Sequence, residues 1–90
     1  MKLIFSKAAL NDLVRLREFI AEESPEAASR VASRLVGAIK KLTETPQIGR
    51  PIDSLPGEVR ELILGKYVVR YQVSTNSLAI LRIWHGKEDR

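Results

Sequence analysis

The stretch EVRELILGKYVVRYQVSTNSLAILRIW, residues 58–84, contains three β-branched or aromatic runs separated by two turn signals. Gly65-Lys66 is a two-residue connection with glycine first, as a type II′ hairpin turn prefers. The second turn is centred on Thr75-Asn76, two residue types that favour turns. The stretch therefore predicts three antiparallel strands in a meander.

A first helix is predicted ahead of this meander, after a short β-rich run at Lys2 to Phe5. Ser6 can cap the helix through its hydroxyl, and we expect the helix to run from Lys7 to Glu22. Spacings of three and four residues place its apolar side chains on one stripe. The stripe consists of Leu10, Leu13, Leu16 and Ile20, with Val14 alongside.

A second helix is predicted from Ser24-Pro25-Glu26, which combine a capping residue, a proline at the first helical position and a favourable charge for the helix dipole. Thr45 and Pro46 stop it. Its apolar positions are Ala28, Val31, Leu35, Ile39 and Leu42. Gly37 interrupts this helix, which close packing against the first helix or the sheet would explain. Residues 46–57 hold three of the four prolines and are predicted to form a loop.

The predicted order is β-α-α-β-β-β, in one domain spanning residues 1–90. Two helices joined by a short turn form an antiparallel αα-hairpin. The expected architecture is an α+β fold in which this hairpin packs on one face of a small, mostly antiparallel sheet.

Composition excludes several kinds of site and favours an acidic partner. The chain has no cysteine and one histidine, so disulfides, thiolate metal sites and a cysteine nucleophile are excluded, and no cofactor is predicted. The apolar run after the initial Met-Lys is too short for a signal peptide or a membrane span, so we expect a cytoplasmic protein. The net charge of +4 favours an acidic partner without requiring nucleic acid.

Alternation assigns the two faces of the middle strand, since successive side chains point to opposite sides. Tyr67, Val69, Tyr71 and Val73 are expected on the core face, with Val68, Arg70 and Gln72 opposite. In the last strand, alternation alone leaves two sets open, Ala79, Leu81 and Ile83 against Ile80, Arg82 and Trp84. The cost of burying Arg82 favours the second set on the open face, where Arg60, Arg70 and Arg82 would form a basic stripe.

No residue pattern stands alone as an enzyme signature. His85 titrates near neutrality, but a lone histidine at a strand end is more often a surface or capping residue. Trp84 could anchor an interface or close the end of the core, and Tyr67 and Tyr71 are better explained by core packing than as phenolic catalysts. The sequence contains no nucleophile elbow, Gly-rich phosphate cradle or metal triad. We therefore predict no catalytic and no metal-binding residue.

Four short motifs, in order, resemble the ParE branch of the RelE/ParE superfamily, the toxin halves of bacterial type II toxin–antitoxin modules. They are IGRP at 48–51, VREL at 59–62, YVVRYQV at 67–73 and the terminal WHGKEDR at 84–90. The likeness covers nearly the whole chain. That superfamily has the β-α-α-β-β-β fold predicted above.

The resemblance implies one of two functions. RelE-like members are ribosome-dependent mRNA endoribonucleases that use basic residues on the open sheet face and a C-terminal Tyr or His, whereas ParE-like members bind DNA gyrase and trap its cleaved DNA complex. Where RelE-like proteins carry cations, this chain has Val68, Leu62 and Glu88, although Arg60 could match one lysine. Their loss removes the electrostatic stabilisation that phosphoryl transfer needs. A rearranged site around Arg70 keeps the endoribonuclease as the alternative.

A ParE-type toxin would poison gyrase, contribute to plasmid stabilisation and be neutralised by a ParD-like antitoxin whose C-terminal segment folds across the hairpin and sheet. A toxin homodimer within a toxin–antitoxin hetero-oligomer is compatible with this hypothesis. Arginines and a lysine would attract the acidic gyrase–DNA complex, Trp84 would anchor it, and His85 would orient this edge by hydrogen bonding. The predicted target-binding residues are Arg60, Arg70, Arg82, Trp84, His85, Lys87 and Arg90. Plain nucleic-acid binding, with a steep dependence on salt, is a further alternative.

Overall fold

The computed structural model describes residues 1–88 and confirms the α+β architecture, with two helices packed on one face of a five-stranded sheet. The helices are α1 (Lys7–Glu23) and α2 (Pro25–Lys40), and a 3₁₀ turn at Lys41–Thr43 follows α2. The strands are β1 (Lys2–Phe5), β2 (Arg50–Pro51), β3 (Glu58–Leu64), β4 (Tyr67–Val73) and β5 (Ser77–His85).

The strand order is β1-β5-β4-β3-β2, in which β1 runs parallel to β5 and every other pair is antiparallel. Gly65 has φ of +61°, as its place in the predicted hairpin turn requires. The short strand β2 pairs with β3 inside the segment that was predicted to be all loop. β2 is only two residues long, so the sequence contains no β-rich run that could have predicted it.

Ser6 and Ser24 begin the two helices as predicted. The Ser6 hydroxyl accepts a hydrogen bond from the Ala9 N–H at 3.0 Å, whereas the Ser24 side chain makes no capping bond and Pro25 opens α2. None of the helices in residues 1–88 combines the length and apolar character that crossing a membrane would require.

The core lies between the helices and one face of the sheet. It includes Leu16, Leu35, Ile39, Leu42, Val69, Tyr71, Leu78, Ile80 and Ile83. The predicted stripe of α1 is wrong in part, because Leu10 and Val14 are 50% and 59% exposed. The buried line of α1 is Ala9, Asp12 and Leu16. A stripe chosen from apolar residues alone predicts the wrong inward face for this helix, because one inward position is occupied by the carboxylate of Asp12.

A β-bulge in β5 resolves the two alternative sets of inward residues. Tyr71 pairs with Ile80 and Arg70 pairs with Arg82, so Leu81 is an extra residue and the alternation shifts there. Leu78 and Ile80 before the bulge, and Ile83 after it, are buried beneath the helices. Neither predicted set is therefore right as a whole, although Arg82 does lie opposite Arg70, on the side away from the helices.

Candidate functional site

The face of the sheet away from the helices, called here the open face, is built from three cross-strand rows of β3, β4 and β5. An apolar row contains Ile63, Val68 and Trp84, and a charged row beside it contains Glu61, Arg70 and Arg82. The third row is Val59, Gln72 and Ala79. Ile63 is 74% exposed, so the apolar row reaches solvent.

The charged row is internally compensated. Arg70 contacts the buried Glu61 carboxylate at 2.6 and 2.8 Å, and Arg82 contacts Asp12 of α1 at 2.8 Å. Arg50 of β2 lies 3.8 Å from the second oxygen of Glu61. Each arginine of the row therefore has a carboxylate partner, and the open face is less cationic than the predicted basic stripe.

Trp84, a member of the apolar row, contacts the arginines of the charged row. The guanidinium carbons of Arg70 and Arg82 are each 5.1 Å from the centroid of its ring, which is within cation–π range. The register thus brings together three of the predicted target-binding residues, Arg70, Arg82 and Trp84. They form a compact group in which each arginine is held by both a carboxylate and the indole.

Arg60 does not belong to the predicted stripe. It pairs across the sheet with Tyr71, and directly opposed side chains point to the same side, so Arg60 lies on the helix side. Its guanidinium donates to the carbonyls of Gln47 and Gly49 at 3.1 and 2.8 Å, and to Glu58 at 3.0 Å. Arg60 is thus a residue that fastens the 46–49 segment.

Of the three residues predicted after Trp84, the structure describes His85 and Lys87, which lie in different environments. His85 was expected to be a surface or capping residue, and it is buried on the helix side, with its ring 5.3 Å from that of Phe19 and 5.2 Å from that of Tyr67. Its Nδ1 accepts from the Lys87 N–H at 3.0 Å. Lys87 is exposed in the turn that follows β5, and Arg90 lies outside the described residues.

Both phenols point toward the helices, which confirms their prediction as core residues. Tyr71 has no exposed surface, and its hydroxyl donates to the Pro46 carbonyl and accepts from the Gly49 N–H, both at 2.8 Å. Burial raises the pKa of Tyr71 and also that of Tyr67. Neither hydroxyl is placed to exchange a proton with a ligand on the open face.

Sequence reasoning missed Asp12, which is 2% exposed and lies at the edge of β5. Its carboxylate accepts from the Ile83 N–H at 2.8 Å and from Arg82 at 2.8 and 3.2 Å, and it is also paired with Arg15. Burial acts to raise the pKa of Asp12, but the hydrogen bonds from Arg82, Ile83 and Arg15 lower it below its usual value.

Arg15 and Glu88 extend this cluster to the end of the described chain. The Arg15 guanidinium contacts both carboxylate oxygens of Glu88, at 2.8 and 3.1 Å, and donates to the Ile83 carbonyl at 3.0 Å. The hydrogen bond from Arg15 lowers the pKa of Glu88, and the same bond raises the pKa of Arg15. Glu88, which stands where RelE-like proteins carry an arginine, is thus engaged in holding the chain after β5 against α1.

The other two positions at which the resemblance expects cations are apolar. Val68 belongs to the apolar row, and Leu62 packs against the core on the helix side. The three rows of the open face contain no lysine, histidine or tyrosine. Its one carboxylate is the ion-paired Glu61. Within residues 1–88, no group of three His, Asp or Glu side chains is arranged to bind a metal.

A second surface lies on the outer side of the αα-hairpin. A groove of about 460 Å³ runs between the helices and is lined by Leu13, Val14, Arg17, Ala32, Ser33, Val36, Gly37 and Lys40. Gly37 is not explained by the close packing expected from the sequence, because a Cβ there would meet no atom within 4 Å. The groove therefore offers an apolar floor with Arg17 and Lys40 among its lining residues.

Comparisons with known proteins agree with this geometry. Toxin RelE1 and Toxin RelE2 of Caulobacter vibrioides are 36% and 38% identical to the chain, over 97% and 94% of it and 95% and 94% of their own lengths. The solved structure of the chromosomal ParDE TA system from P. aeruginosa has a TM-score of 0.82 at 28% identity, covering 94% of this chain and 95% of that one.

A more distant structure, the toxin–antitoxin complex RelBE2 from Mycobacterium tuberculosis, shares the fold with a TM-score of 0.71 at 23% identity, covering 93% of this chain and 95% of its own. The family model described as "ParE toxin of type II toxin-antitoxin system, parDE" matches residues 3–90. The predicted resemblance is confirmed, and the chain belongs to the ParE toxin family within the RelE/ParE superfamily of type II toxin–antitoxin systems.

Proposed function

We propose that this toxin binds DNA gyrase together with its DNA and poisons it without catalysing a reaction, and that a ParD-like antitoxin neutralises it. The observation that carries the proposal is the open face, where an apolar row adjoins a compensated charged row and the three rows of β3, β4 and β5 contain no lysine, histidine or tyrosine. Such a surface suits adhesion to a protein. We expect the protein to act in the cytoplasm, where it would contribute to plasmid stabilisation.

RNA cleavage is poorly supported by this surface. Cleavage at a ribose 2′-hydroxyl needs a base to accept its proton and cations to stabilise the charge that develops on phosphorus. On the open face the arginines are engaged by Glu61 and Asp12, and both tyrosines and the histidine lie on the other side of the sheet. The RelE names of the relatives from Caulobacter vibrioides nevertheless keep the endoribonuclease as the alternative to be tested.

Gyrase contact is expected to centre on Trp84 and its neighbours. Tryptophan and arginine are enriched at the centres of protein interfaces, and apolar neighbours help to exclude water from them. Ile63 and Val68 extend Trp84 into a continuous apolar row, while Arg70 and Arg82 border it. The exposed Lys87 would add attraction to DNA held by the enzyme.

Antitoxin contact is expected on the helical groove. An amphipathic helix can place its apolar face in such a groove, and the cations Arg17 and Lys40 favour one with acidic flanks. The exposed Val14 lines the groove, and Leu10 lies one helical turn before it on the same surface of α1. Similarity to the ParDE and RelBE2 assemblies supports this partner.

The test uses two matched substitutions of exposed β-branched residues, Ile63→Ser on the open face and Val14→Ser in the groove. Because both side chains are largely exposed, both variants should fold. Ile63→Ser should weaken inhibition of gyrase supercoiling by about tenfold and leave antitoxin binding unchanged. Val14→Ser should weaken antitoxin binding by a similar factor and leave gyrase inhibition unchanged.

Failure of the unsubstituted toxin to affect supercoiling or to trap cleaved DNA would refute the gyrase proposal. The endoribonuclease alternative is tested in the same preparation by adding the toxin to a translation extract. We expect full-length messages to remain intact. Cleaved messages whose appearance depends on Arg70, as judged by Arg70→Ala, would establish the alternative instead.

A further inference from the structure

The end of β5 lacks a strand neighbour on one side. Strand β1 ends at Phe5, which pairs with Ile80, and within residues 1–88 no strand pairs with this edge of β5 beyond that point. Backbone groups at such an edge are normally left to water or to an added strand. Here four of them are bound by side chains from α1, its cap and the segment after β5.

These side chains form a ladder along the edge. Ser6 Oγ donates to the Leu81 carbonyl at 3.0 Å, Asp12 accepts from the Ile83 N–H at 2.8 Å, and Arg15 donates to the Ile83 carbonyl at 3.0 Å. Glu88 accepts from the His85 N–H at 2.8 Å. The ladder begins at the bulge and ends at the last residue of β5, so it covers the segment that carries Arg82 and Trp84.

Asp12 is the centre of this ladder, because it binds both the strand edge, at the Ile83 N–H, and Arg82 of the open face. The same carboxylate that binds the Ile83 N–H binds Arg82 through two nitrogens, and Arg82 in turn contacts the Trp84 ring. Arg15 bridges Asp12 to Glu88. Asp12 therefore connects the inward-facing side of α1 to Arg82, and through Arg82 to Trp84, on the proposed gyrase-binding surface.

We propose that Asp12 is a positioning residue for target binding, which fixes the end of β5 and holds Arg82 against Trp84 on the open face. This inference rests on the proposed function and names a residue that would not itself contact gyrase. Removing the negative charge would release the Arg82 guanidinium, since a charge-assisted pair is stronger than a neutral hydrogen bond. Trp84 would then lose one of its two cationic neighbours.

Trp84 is the only tryptophan of the chain and so reports on this arrangement directly. The test variant is Asp12→Asn, which retains an oxygen able to accept from the Ile83 N–H but loses the charge that binds Arg82. Glu22→Gln is the matched control, because Glu22 is an exposed carboxylate of the same helix. Quenching of Trp84 fluorescence by acrylamide and inhibition of gyrase supercoiling are measured for both.

Asp12→Asn should increase the quenching of Trp84 and weaken gyrase inhibition by about tenfold, while Glu22→Gln should change neither. A merely structural role would lower the unfolding midpoint without altering the quenching of the folded protein. Unchanged quenching, or increased quenching with full inhibition, would overturn the positioning role.

A second variant is used if Asp12→Asn loses its cooperative unfolding transition. Arg82→Lys keeps the positive charge but cannot make the two-point contact with Asp12, so it should produce the same two changes. Unaltered quenching and inhibition by Arg82→Lys would overturn the inference. If the unsubstituted toxin fails to inhibit gyrase, the proposed function falls and this role falls with it, whereas an active toxin with an unaffected Asp12→Asn variant refutes the positioning role alone.

Discussion

Tyr71 joins the core to the loop that carries the IGRP motif. Its buried hydroxyl binds both the Pro46 carbonyl and the Gly49 N–H. Tyr71→Phe leaves both groups without this partner, so the free energy of unfolding should fall by about 1–3 kcal/mol, as measured by urea unfolding. Tyr67→Phe is the control, because the Tyr67 side chain is partly buried but its hydroxyl makes no hydrogen bond among those described. This substitution should lower the free energy of unfolding by less than half as much.

Two glycines make opposite predictions when changed to alanine. A Cβ at Gly49 would lie 2.6 Å from the Tyr71 hydroxyl oxygen and 2.9 Å from the Glu61 carbonyl oxygen, so Gly49→Ala should destabilise the protein by about 1–3 kcal/mol. A Cβ at Gly37 would meet open space inside α2, so Gly37→Ala should stabilise it by about 0.5–1 kcal/mol. Thermal and urea unfolding of both variants measure the difference, and a stabilising Gly49→Ala would contradict the close approach.

The sequence predicts nearly every helix and strand, but it predicts less well which side of each element faces the core. Periodicity and turn residues locate α1, α2, β3, β4 and β5, because these signals are local. The bulge at Leu81 depends on the register between β5 and β4, and the inward position of Asp12 depends on Ile83, 71 residues away. A carboxylate inside an apolar stripe, with arginine three residues later, is the one signal that could have drawn attention to Asp12.

The candidate site could likewise be predicted only where it depends on local sequence pattern. Alternation places Arg70 on the open face because β4 is regular, and the cost of burial favours Arg82 there. Arg60 was misplaced, since the face on which it lies depends on cross-strand register. His85 was grouped with Trp84 as a target-binding residue, although neighbouring residues of a strand point to opposite faces. The carboxylates that neutralise the arginines lie on other elements, and pairing between elements cannot be obtained from local pattern.

Asp12 and Glu88 connect α1 to the end of β5, and their ion pairs should make the free energy of unfolding decrease at low pH. The folded protein lowers the pKa of Asp12 and Glu88, so it binds fewer protons than the unfolded chain when these groups titrate. The stabilisation is present at neutral pH and is lost as pH falls through the unfolded values of about 4 and then through the lower folded values. Urea unfolding at pH 7, 5 and 3 should reveal this decline.

Asp12→Asn tests the assignment of that decline. The variant should be less stable than the parent at pH 7, and its stability should change less between pH 5 and pH 3, because one of the titrating carboxylates is gone. Glu22→Gln, which removes an exposed carboxylate from the same helix, should keep the parent's acid dependence. An equally steep decline in Asp12→Asn would place the responsible groups elsewhere.

The two proposed surfaces lie on opposite sides of the fold. The helical groove is on the outer side of the hairpin, and the open face is on the far side of the sheet. An antitoxin helix that filled the groove would leave Ile63 and Trp84 uncovered. Neutralisation by direct competition therefore requires a further antitoxin segment that passes around an edge of the sheet.

The pairing of charges predicts that affinity will depend on salt differently for gyrase binding and for plain nucleic-acid binding. The chain has a net charge of +4, but Arg70 and Arg82 on the open face are each bound by a carboxylate. A surface that binds mainly through its apolar row should release few counterions, so affinity for the gyrase–DNA complex should fall less than about tenfold between 50 and 200 mM salt. Binding through six to ten phosphates would lose about 10³–10⁵ over the same range. Titrating the toxin into the gyrase–DNA complex, and into duplex DNA alone as the control, measures how each affinity depends on salt concentration. A steep dependence shared by both would favour a DNA-binding protein over a gyrase-binding toxin.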